Sequence, residues 1–578
     1  MTGRRLVVVL CAAVGLLVTG CATIPAETVP QRADLQNGNV SGAVAQPPPN
    51  DDPLAIVRDF VSNNGDPTNL HATARAYLAK SAQSQWLGPT PPSAVIIGDI
   101  FSTTFGDNDS GANERDVILA TTQLGILDPD GSFQPASQAQ VGQYQLSLQV
   151  KRNADGQWRI LNPPNGLVIT QSDFDKFYRP VSVYFFDPGG DVLVPDQRYA
   201  VTDPIGQPGR VLQLLLDGPS DVLKDSVLDA IPSAATLKTN VTEQPDGEIF
   251  VNFNALPNLP SNTKQLMVAQ IVRSLQNFGS SVAIESEGVP LVPGHATWRP
   301  SDLPSYAPHV GPSATPLVVA HDRIFNLTTG APIAGPAGNG DYTVVTAAQS
   351  MDGQELATVT KRTDGTDELR IGPFKTFDQP VKDLRGRSFT RPTWEPSDAA
   401  GDPSRALWTV VNGVVERVVS TPNSWVASPV DASELTQFGR ITDLRLSMDG
   451  VRVAVAAGGH LLVGSVVDDQ GSVSIKQVQV LQPSLNGVIR VDWLRQDQLV
   501  VITNGSGPSV QSVSVDGEKL DVYSQANITS TVTAVAASQS GPVLVSDAGG
   551  VLSSTDINDV WTPVPHVQPA GAIPFYPG

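Results

Sequence analysis

The chain has 578 residues, of which 40% are hydrophobic and 16% charged, with a formal net charge of −20. That length calls for roughly three or four domains, each large enough to bury its own core. The acidic excess disfavours nucleic acid and wholesale adsorption to anionic lipid.

Arg4 and Arg5 open the chain, an apolar run follows from Leu6 to Val18, and small residues precede a cysteine. Residues 1–20 thus have the layout of an export signal. The apolar run of 13 residues is too short to cross a bilayer, which needs roughly 20. Val18-Thr19-Gly20-Cys21 resembles the lipobox of bacterial lipoproteins, with Val18 where leucine is commoner. The resemblance implies recognition of Val18, Thr19 and Gly20 by the signal peptidase and cleavage before Cys21. It also implies a diacylglycerol thioether on the Cys21 sulfur and an acyl chain on the new terminal amine. A thiol is the soft nucleophile that thioether formation requires. A plain secretory signal with an incidental cysteine is the alternative, and Thr2-Gly3-Arg4-Arg5-Leu6 lacks the remainder of a twin-arginine signal.

Cys11 lies inside the signal, so the mature chain keeps Cys21 alone and has no thiol left for an intrachain disulfide, catalysis or metal. Removing Arg4 and Arg5 leaves 35 basic against 57 acidic side chains, a formal charge of −22. No later segment is long and apolar enough to span a membrane, so the lipid is the only expected anchor. Two or more acyl chains give stable attachment. Residues 21–51, rich in Pro, Gln, Asn, Ala and Gly, read as a flexible tether, at most about 100 Å long if extended and roughly 30 Å as a coil.

Residues 52–178 read as an α+β domain. Asp52 can cap a helix whose first turn holds Pro53, and Leu54, Val57, Phe60 and Val61 fall on one face. A second helical stretch runs from Leu70 to Lys80, and strands are expected over Ala94 to Thr104, Asp116 to Gln123, Tyr144 to Lys151 and Gln157 to Leu161. Asp155-Gly156 is a hairpin turn between the last two. The element order is similar to the cone of nuclear-transport-factor-like (NTF2-like) domains.

Residues 180–294 carry a more specific succession. Val181 to Phe186 is a strand, Asp187 to Asp191 a turn and Val192 to Arg198 the return. Arg210 to Leu216 is an amphipathic helix stopped by Asp217-Gly218-Pro219, Ile249 to Phe253 alternates, and Thr263 to Phe278 repeats at helical spacing. This succession, with Leu193-Val194-Pro195, Ile231-Pro232 and Gln270-Ile271-Val272, resembles the GerMN domain of spore-germination and sporulation proteins. The resemblance implies binding rather than catalysis. Its apolar positions are core, and Arg198 is the candidate ligand contact.

Residues 295–315 form a linker, and 316–578 hold no convincing helix. Ala347 to Gly353 leads into Leu356-Ala357-Thr358-Val359, and Leu444 to Gly450 leads into Val453-Ala454-Val455, with looser copies around Trp394, Trp493 and Ser538. Ser350, Trp394, Ser447, Trp493 and Ser538 are separated by 44, 53, 46 and 45 residues. A four-stranded propeller blade takes about 40 to 45 residues, so the segment is an all-β propeller of about six blades. Asp352-Gly353 and Asp449-Gly450 are the turns between consecutive strands.

Lipobox, tether, α+β domain, GerMN-like domain and propeller, in that order, resemble the LpqB family of actinobacterial lipoproteins. The resemblance implies a lipid-anchored protein on the outer face of the cytoplasmic membrane. It also implies that the protein associates with the extracytoplasmic domain of the Mtr sensor histidine kinase and modulates a two-component system tied to cell-wall homeostasis and division.

The residues themselves assign no catalytic group, metal ligand or cofactor beyond the covalent lipid. His71, His295, His309, His321, His460 and His566 are scattered. Ser261-Asn262-Thr263-Lys264 matches the serine–x–x–lysine of penicillin-interacting enzymes without the companion motifs, and reads as a helix cap. Asp107 to Gly111 resembles part of a calcium loop but lacks the later glutamate. The alternative function is a cell-wall polymer (peptidoglycan) binding module or hydrolase working through the propeller opening or the GerMN-like groove. A hydrolase would need two neighbouring carboxylates there with pKa values pushed apart.

Overall fold

A computed structural model describes residues 44–88, 92–106, 113–137, 144–201, 207–308, 315–376, 378–397, 404–505, 507–529, 531–566 and 571–578. The expected signal, Val18, Thr19, Gly20, Cys21, most of the tether, Asp107 to Gly111 and His309 lie outside these residues.

The first domain starts at the helix Pro53–Ser62, where Asp52 Oδ1 accepts from the Leu54 and Ala55 amides at 2.8 and 2.9 Å. Its buried face, Ile56, Val57, Phe60 and Val61, lies against two four-stranded sheets. One sheet runs Phe133–Pro135, Gln123–Leu127, Ala94–Ile97, Leu167–Thr170, and the other Ser102–Phe105, Glu114–Thr121, Tyr144–Arg152, Trp158–Ile160. Gly156, with φ 76°, makes the expected turn before Trp158.

Two expectations are corrected here. The stretch from Leu70 to Lys80 is two short helices, Ala72–Ala76 and Lys80–Gln83. Between them the Ala79 amide donates to the Ile160 carbonyl at 2.8 Å and the Ile160 amide to the Tyr77 carbonyl at 3.0 Å, so a ladder to a distant strand replaces one helical turn. The runs 94–104 and 116–123 are not the single strands expected, because in each the chain passes from one sheet to the other. The two crossings meet, because the Gly98 amide donates to the Thr122 carbonyl at 2.9 Å.

In the second domain Tyr178–Phe186 and Leu193–Val201 form an antiparallel hairpin with Phe186 opposite Leu193 and Tyr178 opposite Val201. Asp187 Oδ1 closes its turn on the amides of Asp191 and Val192 at 2.8 and 2.7 Å. Glu248–Phe253 and Ser281–Ser286 pair in parallel, with the helix Ser261–Leu275 as their crossover. That helix and Gln207–Leu216 bury Leu212, Leu215, Ile271 and Leu275 against Phe185, Val251 and Phe253. Ser261 does not cap the helix. Pro260 holds the cap position with no side-chain capping bond, and Ser261 and Lys264 lie in the first turn.

Five four-stranded antiparallel sheets follow, over 344–386, 393–429, 441–481, 488–522 and 534–563. A sixth blade pairs Arg323–Asn326, Leu317–Ala320 and Ile573–Phe575 in that order, so strands from both ends of the segment close the ring. The first strands of successive blades adjoin around an axis. Trp394 and Trp493 in those strands donate Nε1 hydrogen bonds to the Ala348 and Arg445 carbonyls of the preceding blade at 3.1 and 3.0 Å.

Ser350 and Ser447 follow the first strands and accept from the Glu355 and Arg452 amides at 2.9 and 3.0 Å, while Gly353 and Gly450 take φ of 76° and 75°. Ser514 to Gly517 is a third copy of this turn, now between the third and fourth strands of its blade, where Ser514 accepts from the Lys519 amide at 2.9 Å. The segment also holds the one-turn helix Pro336–Asn339 and the 3-10 turn Ser433–Phe438, which the all-β reading omitted.

Candidate functional site

Buried charge gathers, among other places, at the seam where three domains meet and at the propeller axis. The hairpin 178–201 is the hub of the seam. Arg198, on its return strand, is fully buried. Its Nη1 donates to the Asp130 carbonyl and Asp130 Oδ2 at 2.8 and 3.0 Å, and its Nη2 to Asp196 Oδ2 and the Gly218 carbonyl at 2.7 and 3.1 Å. Burial opposes its charge, but Asp196 and then Asp130 outweigh that effect and hold the guanidinium above its ordinary pKa. A guanidinium closed off on all sides offers no face to a ligand. The expected ligand contact is therefore an interdomain clasp.

Tyr199 reaches in the other direction. Its amide donates to the Gly131 carbonyl at 2.7 Å, and its ring lies 5.0 Å from Phe174 and 6.3 Å from Phe133. Its hydroxyl oxygen lies 2.9 Å from Asp516 Oδ2 and 3.3 Å from Glu518 Oε2, on the third serine turn of the propeller. Gln171 of the first domain donates to Glu518 Oε1 at 3.2 Å. Arg452 Nη2 donates to the Pro195 carbonyl at 2.5 Å, Gln496 Nε2 to the Leu193 carbonyl at 3.0 Å, and Ser465 to the Val222 carbonyl. Val194, Leu223 and Val451 add an apolar contact.

The seam holds a partly open pocket of about 50 Å³ lined by Asp196, Ser220, Arg452, Gln477 and Asp516 among others. Ser220 Oγ and Arg452 Nη1 make no hydrogen bond to protein, and the nearest carboxylate oxygen to the latter is Asp449 Oδ2 at 3.7 Å. At roughly 10–15 Å³ per molecule, such a space holds a few waters and no sugar ring.

On the axis, Arg391 Nη2 and Arg445 Nε donate to the two oxygens of Asp492 at 3.0 and 3.2 Å. Asp443 accepts from the Val491 amide at 3.2 Å. Burial raises the Asp443 pKa against the pull of Arg391, Arg490 and Arg445. At Asp492 burial acts the same way, but Arg391 and Arg445 outweigh it and leave the carboxyl below its ordinary value. Burial, then Arg391, lowers Arg445 to about 10.

Two carboxyls thus sit near the axis with pKa values moved apart, as a hydrolase would require. However, both are buried, Asp492 is bound by Arg391 and Arg445, and residues 576–578 run into the opening. The Gly578 amide donates to the Gln349 carbonyl at 2.8 Å and Arg445 Nη2 to the Gly578 carbonyl at 3.0 Å. A space of about 30 Å³ among Met351, Trp394, Met448, Trp493 and Tyr576 holds waters rather than a sugar ring. This geometry weighs against hydrolysis through the channel.

Elsewhere, Glu355 beside a serine turn is pushed up to about 7 by burial and then by Asp352. His71 is buried in the first domain, His295 stacks on Trp298 at 3.7 Å, and His321, His460 and His566 belong to different parts of the propeller. Sequence reasoning missed Tyr199, Asp130, Arg452, Asp516 and Glu518. The one signal that pointed to any of them is the third serine–x–aspartate–glycine turn at Ser514 to Gly517.

Comparison with known proteins covers all three domains. Residues 46–175 match the model for the lipoprotein LpqB N-terminal domain, 182–292 that for a sporulation and spore germination domain, and 323–577 that for the lipoprotein LpqB beta-propeller domain. Lipoprotein LpqB of Rhodococcus jostii (strain RHA1) is 28% identical over 598 residues, covering 98% of this chain and 97% of the relative. Lipoprotein LpqB of Mycolicibacterium smegmatis is 29% identical over 607 residues, covering 100% of both, and that of Mycobacterium tuberculosis 29% over 597 residues, covering 98% of both. Among the described residues no helix is long and apolar enough to cross a membrane. Matching domain by domain and end to end, the chain belongs to the LpqB family of extracytoplasmic lipoproteins.

Proposed function

We propose that the chain is held by lipid on the outer face of the cytoplasmic membrane, where it binds the extracytoplasmic domain of a sensor histidine kinase of the Mtr type and modulates its output. The reading connects it to cell-wall homeostasis and division. The observation that supports it most is the seam: three domains joined by the Arg198–Asp130 ion pair and by hydrogen bonds to the propeller make a single body, built for contact with another macromolecule. A propeller axis filled by its own arginine–aspartate network and residues 576–578 favours a binding role over a hydrolytic one.

The test is co-purification of the mature protein with the kinase's extracytoplasmic domain, coupled to a readout of kinase output in cells lacking the protein. Retention of the kinase domain and altered output are expected. No binding together with unchanged output would sink the proposal.

A further inference from the structure

We propose that Tyr199, Asp516 and Glu518 form a proton-operated latch that sets how tightly the two smaller domains are held on the propeller. The latch is independent of which partner the protein has. Its basis is a shortage of hydrogens. The single hydroxyl hydrogen of Tyr199 faces Asp516 Oδ2 at 2.9 Å and Glu518 Oε2 at 3.3 Å, and can be donated to only one of them. With both carboxyls ionised, the other contact sets oxygen lone pairs against each other in a partly buried place. A proton on Glu518 lets that carboxyl donate to the Tyr199 oxygen, and every contact becomes favourable.

Among the described residues no ion pair is formed to either carboxyl. From the propeller, Asp516 Oδ1 accepts from Ser514 Oγ at 2.6 Å and the Glu518 amide at 3.1 Å, and Gln482 Nε2 donates to the Gly517 and Glu518 carbonyls. Lys519, next in the chain, turns to Asp521 at 3.2 Å. From the first domain come the Gln171 amide, Asp175, which adds like charge, and the rings of Phe133 and Phe174. On the hairpin, Arg198 is committed to Asp196 and Asp130. Arg452, which lines the same pocket as Asp516, has Asp449 as its carboxylate neighbour. Burial raises the pKa of Asp516, and burial followed by the Asp516 charge raises that of Glu518.

The sign follows from linkage. The docked state has the raised pKa values, so it takes up a proton more readily than the undocked state. Docking is favoured at low pH and weakens as pH rises from the ordinary carboxylate range, about 4, through the raised values.

Energy transfer between dyes on cysteines introduced at Ser84 and Ser472, in the full chain, reads the docking between pH 4.5 and 8.5. Transfer is expected to be high at low pH and to fall as pH rises. In Glu518→Gln, whose amide supplies the missing hydrogen at all pH values, transfer stays high throughout. In Tyr199→Phe the loss begins at lower pH. A flat profile in the unsubstituted latch, or an unchanged pH dependence in Glu518→Gln, overturns the proposal.

Discussion

Replacing Arg198 by alanine leaves Asp196 buried without its ion-pair partner and cuts the first domain's link through Asp130. The expected loss is about 3–5 kcal/mol, measured by urea unfolding of the first two domains. The double variant Arg198→Ala, Asp196→Asn should recover part of it, because no buried charge is then left unpaired. Arg198 stood out in the sequence through its place in a recognisable motif, but its role did not. Asp130 lies 68 residues upstream in a different domain, and periodicity carries no information across such a separation. The acceptors of Tyr199 are more than 300 residues away, so the charge pattern that defines the seam exists only after folding.

Among the elements, the serine turns were the most legible, because their chemistry is local: one hydroxyl and one carboxylate bond to amides a few residues on. They also allow a matched comparison. Gly353 and Gly450 have nearly equal positive φ, so alanine at either position costs about 1–2 kcal/mol for the left-handed backbone. At Gly450 a β-carbon would also meet Pro396 Cγ at 2.9 Å, whereas at Gly353 the nearest atom is Gln349 Nε2 at 3.5 Å. Gly450→Ala should therefore lower the melting temperature more than Gly353→Ala. The strands of the first domain were less legible, since a bend that moves a chain between sheets leaves the alternation of burial intact on both sides. The break at Tyr77 was hidden in the same way, because the carbonyl that replaces the helical bond comes from Ile160.

At the scale of the whole molecule, domain order was readable and domain docking was not, because the docking contacts join turns whose local sequences are ordinary. The anchor belongs to this scale too. Cys21→Ala should release the protein into the soluble fraction after a high-salt wash, followed by immunoblotting of fractionated cells. Retention with the membrane would show a second attachment. Ring closure is open to a direct test as well. Phe575, 1% exposed, is buried with Leu317, Val344 and Leu356, and Phe575→Ala should cost about 3–5 kcal/mol, seen in thermal unfolding of the propeller.

The same closing blade governs the timing of biogenesis. A chain exported amino end first delivers Leu317–Ala320 roughly 250 residues before its partner Ile573–Phe575. Closing a loop of that length costs about 5 kcal/mol of chain entropy. Until five further blades have emerged, Leu317–Ala320 presents an unpaired strand edge to any protease or chaperone outside the membrane. The interval of vulnerability is set by the rate of translocation rather than by the stability of any blade.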